Sequence, residues 1–240
     1  MKICVINFSG NVGKSLVCAQ LLQPRMNAPV ISVESLNVDA SADGADVELI
    51  RAAQFADIQR RVVLADSIIV DVGASNVEQF LKLMVSAKGA YEDYDLWIVP
   101  VVRPRKQQMD TINTVKSLRA IGVPAKHIRV VFNGLEPDET IEEVFAPILA
   151  LGTGSDPAVS GDLYELRRQA VIYYNDAFER IKGSGMNLSD VVADTTDFKA
   201  LIKLTTDEEE RVRLANRLAT RRLAASAHDN LDKAFQALTA

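Results

Sequence analysis

Cysteine and histidine are scarce in this sequence, with two of each among 240 residues. Cys4 and Cys18 have neither the spacing of metal ligands nor the pattern of a secreted disulfide framework. His127 and His228 are far apart in the sequence, and we assign neither to catalysis or to a metal. We therefore expect the two cysteines to be buried thiols, and we predict a reducing, cytoplasmic location.

Long hydrophobic runs and an excess of positive charge are also missing. No stretch approaches the roughly 18 uninterrupted apolar residues of a membrane-spanning helix, although 48% of the residues are hydrophobic. The formal net charge is -5. This charge argues against DNA binding through overall charge, because a duplex attracts basic surface. A local basic patch is compatible with it, so direct DNA contact stays open.

Short apolar runs of strand length alternate with segments of helical periodicity. The apolar runs are continuous, which is typical of strands covered on both faces, as in a parallel sheet. They span residues 3–6, 30–33, 67–70, 96–102 and 128–132. The segments with helical spacing span residues 14–22, 47–65, 76–88 and 107–121. This order predicts a doubly wound α/β fold with a mostly parallel sheet and crossover helices.

The first predicted strand leads directly into residues 8–15, FSGNVGKS, after which a helix begins. This order is that of a P-loop, and the pattern G-x-x-x-x-G-K-S/T matches in its second half, since Phe8 stands where the first glycine is expected. In such a loop backbone amides face phosphate oxygens, the lysine adds charge and the hydroxyl binds magnesium. The predicted nucleotide-binding residues are Ser9, Gly10, Asn11, Val12, Gly13, Lys14, Ser15 and Leu16. We also predict that Lys14 is catalytic and that Ser15 is a metal ligand.

Acidic residues follow two of the predicted strands, near the same edge of the sheet. Asp71 ends the third apolar run, where ligands of α/β sheets bind, and we predict that it is catalytic and holds Mg²⁺ through water. Glu34 follows the second run, and either Glu34 or Asp39 is predicted to orient the attacking water, since positioning dominates phosphoryl transfer. The alternatives are that Asp71 caps the next helix near Asn76 and that the other two acids are solvated.

An asparagine ends the last apolar run. Asn133 carries both a donor and an acceptor, which suits the edge of an adenine base. The alternative is a turn-forming asparagine before Gly134. Together with the loop, Asn133 predicts ATP and Mg²⁺ as cofactors. The alternative for the loop at residues 8–15 is an ordinary βα turn with a solvated lysine.

The sequence changes character after about Asp138, where the strand-like runs stop. Two long helical patterns follow, at residues 161–182 and 207–238. We therefore predict a P-loop nucleotide-binding core over residues 1–150. Residues 151–240 are predicted to be a helical region that is packed on the core or used in dimerisation.

Five arginines lie in the last predicted helix, namely Arg211, Arg213, Arg217, Arg221 and Arg222. They could contact DNA phosphates or an anionic membrane surface. The preferred interpretation is a helix packed against the domain or a twin subunit through its apolar positions, which are Leu214, Leu218, Leu231, Phe235 and Leu238. Glu209 and Arg213 are predicted to form an i,i+4 ion pair on its surface.

The residues around the loop resemble the deviant-Walker ATPases of the ParA and MinD type, which move or position plasmids and other cell cargo. The family's loop, K-G-G-x-G-K-S/T, aligns with residues 9–15, where Ser9 replaces the first lysine and the second lysine and hydroxyl match. The family's apolar run ending D-x-x-A-G is similar to residues 68–75, IIVDVGAS, and places its aspartate at Asp71. The family's base-contacting asparagine falls on Asn133.

This resemblance covers residues 1–133 and implies a P-loop NTPase fold of the SIMIBI type. It also implies a bacterial protein that forms a homodimer and works beside a plasmid-encoded DNA-binding partner. Within the family, the loop and residues 33–37, VESLN, look most like plasmid stability and conjugation proteins. The family's first lysine reaches across a nucleotide-sandwich dimer, a contact that Ser9 does not reproduce.

Three functions are compatible with these features. The first is an ATP-hydrolysing switch whose loops after Glu34 and Asp71 respond to bound ATP. The second is a nucleotide-binding scaffold with little hydrolysis, since Phe8 and Ser9 replace consensus residues of the loop. The third is a P-loop small-molecule kinase or ligase, which requires a substrate pocket that the sequence does not reveal.

Overall fold

Six strands and the helices around them make up the described part of the chain. The computed structural model describes residues 1–33, 44–155, 161–182 and 187–240, and of residues 44–53 it describes the backbone alone. The strands are β1 (Lys2–Ile6), β2 (Val30–Ser32), β3 (Ile68–Val72), β4 (Leu96–Val101), β5 (Ile128–Leu135) and β6 (Val171–Tyr173). The α-helices are α1 (Lys14–Leu16), α2 (Gln23–Met26), α3 (Gly44–Leu64), α4 (Val77–Ser86), α5 (Arg105–Ala120), α6 (Ile141–Val144), α7 (Ala146–Gly152), α8 (Ala177–Ile181), α9 (Leu188–Ala193), α10 (Phe198–Leu204) and α11 (Glu208–Thr239).

The strands form one sheet in the order β2-β3-β1-β4-β5-β6, and every neighbouring pair is parallel. The prediction of a doubly wound α/β fold with a parallel sheet is confirmed. All residues of β3 and of β4 are buried, as expected for strands covered on both faces. Because the strands are parallel, their carboxyl ends, including those of the central strands β1 and β3, meet at one edge of the sheet.

Each face of the sheet supports its own apolar core. Alternate residues of β1 divide between them, since Cys4 and Ile6 belong to one cluster while Ile3 and Val5 belong to the other. The first cluster is covered by helices α3, α4, α5 and α7. The second is covered by the helix after β1 and by α8, α9 and α11. The C-terminal helices α8, α9 and α11 are therefore part of the apolar core.

The prediction of a long helix over residues 161–182 is wrong. Within it, Val171–Tyr173 forms β6, which pairs in parallel with β5, and only Ala177–Ile181 is helical. A short apolar run fits the periods of both a strand and a helix, and the pairing with β5 that decides between them is not local. The described part of residues 151–240 thus contributes a strand to the sheet, while the division of the chain at residue 150 stays a prediction.

The outer edge of β6 is closed by a side chain of α11. The backbone N–H of Tyr173 donates to Oδ1 of Asn230 over 3.0 Å, and Nδ2 of Asn230 donates to the carbonyl of Val171 over 2.9 Å. One amide side chain therefore takes the place of a neighbouring strand. An edge strand with unpaired backbone groups is a template for pairing with another chain, so this contact protects the sheet.

The helix after β1 is continuous but changes its winding. It runs through α1, a π-helical turn at Val17–Leu22 and α2, and we call it the first helix. Pro24 has no N–H to donate to the carbonyl of Gln20, and its ring clashes with a carbonyl four residues earlier in a regular α-helix. The guanidinium of Arg25 supplies donors instead, to the carbonyls of Gln20 at 2.9 Å and Leu21 at 3.2 Å.

Arg25 also joins the first helix to α11. Its Nε donates to Oδ1 of Asp232 over 2.8 Å, and its Nη2 donates to the carbonyl of His228 over 3.1 Å. Only 10% of the Arg25 side chain is exposed. A buried guanidinium that is fully hydrogen-bonded fixes the angle between the two helices, because any rotation leaves donors without acceptors.

Helix α11 packs on the sheet through its second half. Its buried positions there are Ala224, Ala227, Leu231, Ala234 and Leu238, spaced three or four residues apart. Of the positions predicted from sequence, Leu214, Leu231 and Leu238 are buried, whereas Leu218 and Phe235 are half-buried. The small alanines let the helix approach closely. No helix in the described residues is long and apolar enough to cross a membrane.

The surface charges of α11 are paired differently from the prediction. Arg213 bonds Glu210 over 2.7 Å instead of Glu209, because i,i+3 positions are as close on a helix as i,i+4 positions. Arg217 and Arg221 lie over the ring of Phe198, at 4.9 and 4.8 Å from its centroid. These arginines therefore make contacts within the chain, whatever else they bind.

We predict that Asn230→Leu lowers the free energy of unfolding by about 2 kcal/mol, since it leaves two backbone groups of β6 without partners. It should also increase self-association, measured by light scattering beside urea unfolding. Asn216→Leu, an exposed position on the same helix, serves as the control and should change stability by less than about 0.5 kcal/mol. Equal behaviour of the two variants would contradict the assigned role of Asn230.

Candidate functional site

The loop between β1 and the first helix has a backbone that requires glycine at one position. Gly13 has φ of 89°, in the left-handed region that disfavours side chains. A Cβ there would lie 2.2 Å from Nδ2 of Asn133. Asn11 also has a positive φ, of 54°, which asparagine tolerates better than most residues. These two residues give the loop its tight curvature over the start of the helix.

A buried asparagine anchors the beginning of the loop. Nδ2 of Asn7 donates to the carbonyl of Pro100 and to Oγ1 of Thr111, both over 2.8 Å, and Oδ1 accepts from the backbone N–H of Ser9 over 2.7 Å. Asn7 is fully buried, so each of these bonds would be costly to lose. The loop is thereby fixed to β4 and α5 as well as to β1.

Two threonines of α5 extend this network. Oγ1 of Thr114 accepts from the backbone N–H of Phe8 over 3.1 Å and donates to the carbonyl of Asp110 over 2.7 Å. Thr111 and Thr114 are both fully buried. Because the amides of Phe8 and Ser9 are used inside the protein, the amides left to face a phosphate come from later in the loop. Asn7 and both threonines were not predicted from the sequence, since a polar residue in a strand or helix gives no local signal of its distant partner.

Lys14 is folded back over the loop. Its Nζ donates to the carbonyl of Ser9 over 2.8 Å and lies 3.4 Å from that of Asn7, with only 8% of the residue exposed. Burial lowers the pKa of the Lys14 ammonium from its ordinary value, and the nearby Asp71 carboxylate opposes that shift. Carbonyls are weaker acceptors for an ammonium than phosphate oxygens are, so an anion in the loop would compete well for this lysine.

A hydroxyl and a carboxylate meet beside the lysine. Oγ of Ser15 lies 3.4 Å from Oδ2 of Asp71, which is 9% exposed at the end of β3. Two oxygens at this separation suit Mg²⁺, which prefers hard oxygen ligands and retains several waters. Asn76, the residue before α4, makes no side-chain cap and donates instead to the carbonyl of Val33 over 2.6 Å; the alternative that Asp71 caps the following helix stays a prediction.

Both cysteines lie under this site. Cys4 and Cys18 are free thiols and are buried, which confirms that part of the prediction. Burial raises the pKa of each thiol well above its ordinary value, and the neighbouring Asp71 carboxylate raises it further. Thiols held in the protonated form are poor nucleophiles, so neither cysteine is a candidate for covalent catalysis.

A cleft of about 970 Å³ opens from the loop. On the loop side it is lined by Asn11, Gly13, Lys14, Ser15 and Asn133. The remaining walls are formed by Leu16, Ala19 and Gln20 of the first helix and by Phe178, Glu179, Ile181 and Lys182. Its volume is in the range of ligand sites that enclose a drug-sized molecule. The cleft lies at the carboxyl edge of the sheet, where ligands of α/β folds bind.

The predicted site residues do not all reach this cleft. Asn133 does, and its Nδ2 donates to the carbonyl of Val12 over 3.1 Å. Ser9, Gly10, Val12 and Asp71 are absent from the cleft lining, and their binding roles stay predictions. The acids Glu34 and Asp39 lie outside the described residues.

The wall around α8 was not predicted from the sequence. The error over residues 161–182 hid it, because a long helix there would not place a turn after β6 at the carboxyl edge of the sheet. Had β6 been recognised, the general rule that ligands bind beyond the carboxyl ends of parallel strands would have pointed to the residues after it.

Comparisons with known proteins give distant likenesses. No protein-family model matches the sequence, and a search of curated proteins finds no match. A solved structure of a Cyanothece McdA variant with ATP is 14% identical over 79% of this chain and 89% of McdA, with a TM-score of 0.44. Apo McdA is 14% identical over 79% of this chain and 92% of McdA, with a TM-score of 0.45. Similarity this distant does not show what the site of this protein binds or does.

We predict that Asn7→Ala lowers the free energy of unfolding by about 3 kcal/mol, because it leaves the buried Ser9 amide and Pro100 carbonyl without partners. Urea unfolding measures the change. Asn113→Ala, at an exposed position of α5, is the control and should cost less than about 0.5 kcal/mol. A cost for Asn7→Ala no larger than for the control would show that the network does not hold the loop.

Proposed function

We propose that this protein is an ATP-binding switch that hydrolyses ATP. The observation that carries the proposal is that Lys14 and Ser15, directly after the first strand, line one cleft, while Asp71 of β3 lies 3.4 Å from the Ser15 hydroxyl. A buried lysine, a hydroxyl and a carboxylate on a strand, loop and helix are the groups that phosphate and magnesium require. The ordinary βα turn with a solvated lysine is disfavoured, since Lys14 is 8% exposed.

Each residue has a separate task in this proposal. The ammonium of Lys14 leaves the Ser9 carbonyl and neutralises charge on the terminal phosphates, and the amides of the first helical turn bind the phosphate oxygens. Ser15 would supply an oxygen ligand for Mg²⁺ and Asp71 would hold the ion through water, and the bound ion would neutralise developing charge. Glu34 is proposed to orient the attacking water; it lies outside the described residues.

Asn133 is proposed to select adenine. One N–H of its amide bonds the Val12 carbonyl, and no other hydrogen bond of this side chain is found among the described residues. The amide oxygen and the second N–H can then pair with the N6 amine and N7 of adenine. Guanine offers only acceptors at the corresponding positions, so its oxygen would face the amide oxygen of Asn133.

The site contains a contact through which a bound nucleotide can change the conformation of the loops after β2 and β3. Asn76 is fully buried, and its Nδ2 joins the loop after Asp71 to the carbonyl of Val33 at the end of β2. A shift of Asp71 on metal binding would therefore be felt at both strand ends. Ordering and release of such loops is a known way for a nucleotide to change partner affinity.

The cellular role we propose is plasmid positioning, stability or conjugative transfer, in the bacterial cytoplasm. It rests on the resemblance of residues 8–15 and 33–37 to the plasmid protein StbB. A homodimer and a plasmid-encoded DNA-binding partner are proposed with it, and the net charge of -5 favours contact with DNA through that partner. Loss of plasmid maintenance or transfer on deletion of the gene, restored by wild type and not by Lys14→Ala, is the result that supports this role.

Two other functions have observations in their favour. A scaffold with little hydrolysis is favoured by Ser9, which is 8% exposed and whose backbone is hydrogen-bonded within the loop, so it cannot replace the lysine that reaches a twin subunit in the resembled family. A kinase or ligase is favoured by a second cleft of about 700 Å³. Its lining includes Phe8 of the loop and Ala74 and Ser75 after β3, which is a suitable place for a phosphate acceptor.

We predict that ATP with Mg²⁺ raises the free energy of unfolding by about 2.7 kcal/mol at a ligand concentration one hundred times Kd. Thermal unfolding and phosphate release are measured in the same titration. Lys14→Ala should lose both effects, while Lys199→Ala, at an exposed position of α10, should keep them. Normal ATP binding by Lys14→Ala would refute the P-loop assignment, and binding without phosphate release would favour the scaffold.

Magnesium binding is tested separately with Asp71→Asn, which keeps the shape and removes the charge. In wild type, we expect ATP to stabilise the protein more when Mg²⁺ is present than when it is chelated. Asp71→Asn should make this difference smaller and should weaken the apparent Mg²⁺ affinity by about tenfold or more, since the charge of the carboxylate dominates such sites. An unchanged Mg²⁺ dependence would remove Asp71 from the metal site.

A further inference from the structure

The wall of the first cleft opposite the phosphate loop is supplied by the C-terminal region. It is centred on α8, which begins a few residues after the end of β6. Phe178 is the aromatic side chain in this wall, and Glu179 and Lys182 lie at its exposed rim. Any role of this wall in binding a nucleobase rests on the proposed nucleotide function, because the phosphates must first be held at Lys14.

The ring of Phe178 has one side against the core and another on the cleft. It is half-buried, packs against the apolar cluster that contains β1 and α11, and lines the cleft. Among the described residues it is paired with no other aromatic ring and with no arginine. A planar surface of this kind suits stacking with a planar ligand.

Several contacts fix the position of this ring. Ala177 and Ile181, on either side of it along α8, are buried in the same cluster. Oδ1 of Asn175 accepts from the N–H of Ala177 over 2.9 Å, and its carbonyl accepts from the N–H of Phe178 over 3.2 Å. The start of the helix is thereby held, so little entropy is lost when a ligand stacks on the ring.

The facing wall belongs to the first helix and is also fixed. Leu16, Ala19 and Gln20 lie on one side of that helix and line the cleft. Oε1 of Gln20 accepts from the N–H of Leu188 over 2.9 Å, which ties this wall to α9. The small side chain of Ala19 leaves space between the walls, and Asn133 offers its amide at one side of that space.

We infer that Phe178 stacks on the purine base of the bound nucleotide, so that the C-terminal region completes the nucleobase subsite. The phosphates at Lys14 and the base edge at Asn133 fix two ends of the ligand, and the base plane then falls between the first helix and α8. Base stacking on an aromatic side chain changes affinity by roughly 5- to 150-fold on substitution by alanine. Because α8 packs on α11, nucleotide binding also stabilises the position of α11.

The test compares ATP with inorganic tripolyphosphate, which has the phosphates and no base. Binding of each to Phe178→Ala, Phe178→Tyr and wild type is measured by calorimetry. Phe178→Ala should weaken ATP binding about tenfold and leave tripolyphosphate binding unchanged, and Phe178→Tyr should bind both as wild type does. Phe235→Ala, which removes a half-buried ring from the same cluster outside the cleft, should bind both ligands normally.

Each result decides between distinct possibilities. Unchanged ATP affinity in Phe178→Ala overturns the stacking role, and equal weakening of ATP and tripolyphosphate shows that the ring is only a structural support. If Phe235→Ala loses ATP affinity selectively as well, the effect belongs to the core and the inference fails. If wild type binds ATP no more tightly than tripolyphosphate, and both through Lys14, the result supports the phosphate site and overturns the base subsite. If wild type binds neither ligand, the proposed function fails and this inference with it.

Discussion

The buried amide of Asn7 is the contact on which the site depends. It lies between β1 and the loop that follows, and it uses its oxygen and its nitrogen to hold Ser9, Pro100 and Thr111. A loop that binds phosphate through backbone amides must keep them oriented when no ligand is present, otherwise binding has to supply the cost of ordering. The hydrogen bonds of Asn7 and of the threonines of α5 order the loop when the protein folds, before any ligand binds. Hydrogen bonds of buried side chains consequently join the strand, the loop and the neighbouring helix.

Much of the fold could be predicted because its signals are local. Continuous apolar runs identified five strands. The order of strand, loop and lysine predicted a site around Lys14 and Ser15, and the place of Asp71 at the end of a strand predicted its role there. The structure brings the Ser15 hydroxyl and the Asp71 carboxylate together, and their roles stay predictions. Features that depend on contacts between residues far apart in the sequence were not predicted. The strand Val171–Tyr173 is defined by pairing with β5, and the same letters read locally also fit a helix.

The same limit explains which site residues were missed. Asn7, Thr111 and Thr114 are polar residues whose role is visible only when β1 and α5 lie side by side. Phe178 was hidden by the wrong helix over residues 161–182. Predictions that depended on residue type and neighbours in sequence, such as the buried cysteines, held, whereas the ion pair of Arg213 changed partner because several acids lie within its reach.

The pairing of Pro24 with Arg25 has a consequence for how this sequence can vary. The proline removes a donor from the first helix, and the arginine both donates to the Gln20 carbonyl and binds α11. Replacing the arginine alone would leave the Gln20 carbonyl without that donor, and replacing the proline alone would bring a backbone N–H into competition with the guanidinium for the same carbonyl. The two positions are therefore expected to be mutationally coupled, each tolerating change best when the other changes too.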